Sequence, residues 1–121
     1  MPISHRRSLW AVALKTREGA FRSLEEAEES LAAIDREIAS NRRRAAELEE
    51  AVGRSFGEVP CPAALLESAA LARSSSAAAL LEVSIRLAAF SAKRERAARA
   101  LVAAREALAH ATRAAQLFSQ R

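Results

Sequence analysis

The sequence has no tyrosine, one tryptophan, one cysteine, three glycines and three prolines in 121 residues. Each shortage excludes something. A sandwich, a barrel or a turn-rich α/β domain needs many chain reversals, and six Gly and Pro residues cannot supply them. One cysteine, Cys61, cannot close a disulfide within the chain. A free thiol suits a reducing compartment, so the chain is expected to be cytoplasmic. Four phenylalanines and one tryptophan are too few for a wide core. No glycine-rich phosphate loop and no nucleophile elbow is present. The run Leu9 to Leu14 follows Arg6-Arg7, but Lys15, Arg17 and Glu18 end it; it is too short for a signal segment or a membrane span.

What is abundant is alanine, with 31 residues, together with leucine, arginine and glutamate. That composition belongs to long helices and coiled coils. The glycines and prolines cluster at Gly53, Gly57, Pro60 and Pro62, which mark a single break. Pro62 can start a helix, and Gly53 or Gly57 can end the one before it. The expected fold is all-α, a single helical hairpin over residues 1–121. Helix one spans about 4–54, the turn about 55–61 and helix two about 62–119.

A seven-residue repeat runs through both arms. Trp10, Arg17, Leu24, Leu31, Ile38, Ala45 and Val52 occupy position a of the first arm, and Ala13, Ala20, Ala27, Ile34, Asn41 and Leu48 occupy d. In the second arm a runs from Leu66 through Leu80, Leu87, Leu101 and Leu108 to Ala115, and d from Ala69 through Val83, Phe90 and Ala111 to Phe118. Such a run predicts a left-handed coiled coil, here an antiparallel hairpin of two long helices. Facing residues then have numbers with a near-constant sum. A sum of 121 sets Leu24 on Ala97, Leu31 on Phe90 and Ala13 on Leu108, bulky against small, as close packing requires. A sum of 114 also serves, so the sequence predicts the hairpin more firmly than its register. The arms would be roughly 75–90 Å long at 1.5 Å per residue. Arg73-Ser74-Ser75-Ser76 is the weakest helical stretch and is read either as a kink or as continuous helix.

Arg17, Asn41, Arg73 and Arg94 fall in the seam. Polar seam residues fix register or partner number, and long arginine stems can also lie along alanine with the charge in water. His5 and His110 lack companions for a metal site, so no metal or cofactor is expected. Arg105 and His110 match a spacing found in some helical ribonucleases, but an Arg- and Ala-rich helix gives that match by chance. No catalytic set emerges, and the chain is not expected to be an enzyme or to take a small-molecule substrate. The balance of 19 basic and 15 acidic residues gives a net charge of +4. Residues 56–121 hold nine basic and five acidic residues, residues 1–55 ten of each. The second-arm cluster Arg86, Lys93, Arg94, Arg96, Arg99 and Arg105 has no interleaved aromatics beyond Phe90. Nucleic-acid binding would therefore be confined to the phosphate backbone, and stands as a third reading.

A basic, apolar start, Ser8-Leu9-Trp10-Ala11-Val12-Ala13-Leu14-Lys15, runs straight into a charged helix with Leu24-Glu25-Glu26-Ala27-Glu28. A central break and a second basic helix follow. In length, layout and start pattern the whole chain resembles the FliJ/YscO-like stalk proteins of flagellar and type III secretion export machines, though it is short and rich in alanine. The resemblance implies a non-catalytic stalk that binds and activates the hexameric export ATPase, reaches toward the export-gate protein at the inner membrane and escorts secretion chaperones. It carries no residue over by position. Charge and exposure nominate Arg6, Arg7, Lys15, Arg105 and Arg113 as partner contacts at the end holding the termini. Phe56, Val59, Leu65 and Leu71 are nominated at the hairpin end, where an apolar tip has little to pack on; the alternative is that they close the turn. The oligomeric expectation is a monomer or weak dimer. The rival reading is a self-associating coiled-coil scaffold.

Overall fold

The computed structural model describes residues 3–56 and 63–119. Two α-helices account for them: α1, Ile3–Phe56, and α2, Ala63–Ser119. They pack on each other as an all-α helical hairpin. Both helices contribute to each of two compact units. The first joins Met1–Ala33 to Arg94–Arg121, and the second is Ile34–Lys93. In the first unit the start of α1 lies with the end of α2, so the two run antiparallel.

The heptad decides what is covered. The buried apolar residues are Ala13, Leu101, Ala111 and Ala115 in the first unit and Ile38, Leu48 and Val83 in the second. Each stands at an a or d position of the repeat. Alanine at so many seam positions lets the helices approach, but each contact removes little apolar area. Among the described residues no side chain is fully buried. The helices also draw support from exposed ion pairs at helical spacing: Glu18 with Arg22, Glu50 with Arg54, Glu82 with Arg86, and Arg44 with Glu47. In the first three the glutamate precedes the arginine by four residues, the better orientation, at about 0.2–0.5 kcal/mol each.

Gly53 does not end α1. It lies inside the helix, and no described glycine has a positive φ. Ending a helix on glycine requires that left-handed step, whereas an interior glycine costs only about 1 kcal/mol. The other candidate terminator, Gly57, lies outside the described residues, as do Val59, Pro60, Cys61 and Pro62. A Cβ built on Gly19 or Gly53 would meet nothing within 4 Å. Gly19→Ala and Gly53→Ala are therefore each expected to stabilise the protein by about 0.5–1 kcal/mol. Chemical denaturation of the two variants and the parent checks this. α2 is unbroken through Arg73–Ser76. Ser84, a little further along, donates its hydroxyl to the Leu80 carbonyl at 2.9 Å, which satisfies the hydroxyl within its own helix.

The polar seam residues behave differently from one another. Asn41 is half-buried and donates its amide to the Glu37 carbonyl at 2.8 Å, within its own helix. Arg73 is half-buried. Arg17 and Arg94 are exposed, as long stems on alanine-lined seams allow.

α2 is apolar well beyond its seam. Within Ala70–Ser119 it has a stretch long and apolar enough to cross a membrane by length and composition alone, with mean hydropathy 1.2. Leu71, Leu81 and Ile85, none at a or d, are 73%, 64% and 63% exposed in the second unit.

Candidate functional site

The first unit carries the feature best suited to binding. Arg17, Glu18, Phe21 and Arg22 of α1 line one cleft with Leu108 and Thr112 of α2. Leu24 of α1 lines a second with Arg105, Leu108, Ala109, Thr112 and Arg113 of α2. The clefts share Leu108 and Thr112, so they form one groove along one side of the pair. Phe21, Arg105 and Thr112 all hold position e of the repeat, and e positions of antiparallel helices edge the same side of the seam.

This groove also fixes the register. Arg17 and Phe21 lie across from Leu108 and Thr112, and Leu24 across from Arg105 and Leu108. The sequence reading set Leu24 against Ala97 and Leu108 against Ala13. In the first unit the true register is displaced by about one heptad along α2. Continued toward the termini, the displacement sets Ala115 opposite Ala13 and Phe118 opposite Trp10. Ala13 and Ala115 are both buried, Ala115 at 3% exposure, whereas the expected register would have set Ala115 against the exposed Arg6. The physical reason is that bulky and small residues alternate at heptad spacing in both stripes. A slide by one repeat therefore keeps large on small, and only small differences in packing choose between registers.

Electrostatics of the groove are one-sided. Four arginines border it, Arg17, Arg22, Arg105 and Arg113, against one acid, Glu18, which pairs with Arg22 at 4.0 Å. Between them Phe21 is 52% exposed, and Leu24 and Leu108 are half-buried. A long apolar ring left half in water among cations has affinity to offer an apolar group whose flanks are anionic. α1 also has no acidic residue in its first turn. Arg6 and Arg7 therefore sit at the positive end of the helix dipole, where they do not help the helix. They add to the positive potential of this unit instead.

Of the nominated residues at the termini end, Arg105 and Arg113 come together in the groove, while Arg6, Arg7 and Lys15 are exposed on the first unit outside it. Arg17, Phe21 and Arg22 were not nominated. Arg17 reads as a seam residue by heptad count, and the importance of Phe21 depends on the register that brings Leu108 across from it. At the hairpin end, Leu71 is exposed on α2. Phe56 and Leu65 lie in the helices, but their side chains, like Val59 altogether, fall outside the described residues. Among the described residues no group of three or more His, Cys, Asp or Glu could hold a metal ion. No protein-family model, no curated protein and no solved structure matches the chain.

Proposed function

We propose that the chain is a non-catalytic helical-hairpin stalk that works by binding other proteins. In this reading it binds and activates the hexameric ATPase of a flagellar or type III export system and links it to the export gate in the cytoplasm, with secretion chaperones as further partners. The observation that carries the binding role is the arginine-bordered groove around Phe21 in the first unit. The choice of export ATPase rests on the resemblance of layout alone. The test is to mix the purified chain with a flagellar or type III export ATPase and to measure co-purification and ATP hydrolysis. Binding with several-fold stimulation is expected; neither binding nor stimulation would remove the stalk reading.

A second reading has its own support. Leu71, Leu81 and Ile85 form an exposed apolar row on α2 within the second unit, and such a row favours a self-associating scaffold. Sedimentation at micromolar concentration separates the two: a monomer favours the stalk, a stable dimer the scaffold.

A further inference from the structure

We propose that the groove of the first unit receives a third helix: an acidic, amphipathic helix of a partner protein, laid along the pair with its apolar residues on Phe21, Leu24 and Leu108. This rests on the reading of the chain as a protein-binding module and adds the chemistry of what it binds.

The groove has the length and spacing of a helix seat. On α2, Arg105, Leu108 or Ala109, and Thr112 or Arg113 recur every three or four residues along one face. That row covers roughly 12 Å at 1.5 Å per residue, two turns of an incoming helix. On α1, Arg17 and Phe21 stand one turn apart, with Leu24 one turn beyond. Phe21 and Leu24 lie one turn apart, about 4.5 Å along α1, with Leu108 across from both, so a helix presenting apolar residues at i and i+3 or i+4 seats them on this cluster. Its flanking positions then lie beside Arg17 and Arg22 on one wall and Arg105 and Arg113 on the other. Glutamate or aspartate at those flanks matches Arg17, Arg105 and Arg113 and competes with Glu18 for Arg22, and arginine pairs well with carboxylates. Basic flanks would add like charge to the walls.

On the opposite side of the same seam the g positions are Thr16 and Ser23 of α1 and Ala100, Ala107 and Ala114 of α2, without an arginine among them. The Thr16 hydroxyl already donates to the Val12 carbonyl at 2.9 Å. Exposed apolar residues lie elsewhere in the first unit too, Trp10, Val12 and Leu117 among them, and the arginines bordering this groove are what select an acidic occupant. A polyanion without an apolar stripe would meet the arginines but leave Phe21 in water.

The test uses the full chain and a synthetic helical peptide with leucine at a and d and glutamate on the flanks, kept at concentrations where it is monomeric. Binding is read by fluorescence anisotropy of the labelled peptide. Saturable binding that weakens with salt is expected. Arg105→Glu with Arg113→Glu should weaken it by about tenfold or more, and Phe21→Ala by about fivefold. These three side chains are exposed, so thermal melts should match the parent and separate lost binding from lost fold. The lysine-flanked peptide should not bind. Equal binding of a scrambled acidic peptide lacking the stripe would overturn the proposal in favour of plain anion attraction. So would tighter binding to phosphatidylserine vesicles than to the peptide, or indifference to the double reversal. An intact peptide response with no ATPase response sinks the stalk reading alone; stimulated ATPase with no peptide response sinks the helix seat alone.

Discussion

Val83→Asp is expected to unfold the hairpin cooperatively in its second unit, while Leu81→Asp leaves the melting curve close to that of the parent. The two positions are two residues apart on α2, and two residues of helix turn through about 200°. Val83 is 5% exposed and Leu81 is 64% exposed. A carboxylate at Val83 is carried into the seam, and the nearest basic residue along the helix, Arg86, is already paired with Glu82; a buried charge so placed costs about 3–5 kcal/mol. That is a large part of the total for any small domain. At Leu81 the same substitution places the charge in water and costs about 0.5 kcal/mol, mostly as helix propensity. Circular dichroism melts of both variants check the contrast. Because Leu81 belongs to the exposed row with Leu71 and Ile85, the pair of variants also tests the scaffold reading. A stable dimer using that row would make Leu81→Asp costly at high protein concentration and harmless when dilute.

The faces of the helices were legible in the sequence because burial follows the count of seven. Ile38, Leu48, Val83 and Leu101 are covered where the repeat sets them, and even the alanines Ala13, Ala111 and Ala115 obey it. The register was not legible, for the same reason the faces were. With alanine filling the gaps between leucines, several slides are sterically acceptable, and the sum of many shallow contacts selects one. The binding groove inherits that uncertainty. Arg105 and Arg113 could be found from charge, since a basic excess in the second arm is a matter of counting. Phe21 could not, because position e points to nothing until the partner helix is in register. Arg17 was legible in part: its count places it in the seam, and its long stem carries the charge out, as such stems on alanine can, but the groove wall it reaches depends on the register. Gly53 shows a related limit: a glycine ends a helix only when the chain is ready to turn left-handed, and α1 continues past it to Phe56.

The account depends on a chain that folds back and sets the two ends of its helices together in one particular register. In a Cys61→Ser background, Ala13→Cys with Ala115→Cys joins two buried positions that this register sets face to face in the first unit. Oxidation of dilute protein should close an intramolecular disulfide in most molecules, seen as a faster band on non-reducing gels that reverts with reductant. Ala13→Cys with Leu108→Cys, the pair favoured by the sequence alone, should close far less, since Leu108 lies one heptad away beside Arg17 and Phe21. Efficient closure of the Ala13–Ala115 pair alone is the predicted result. Closure of the Ala13–Leu108 pair instead would contradict the register and the groove built on it, and closure of neither would contradict the hairpin.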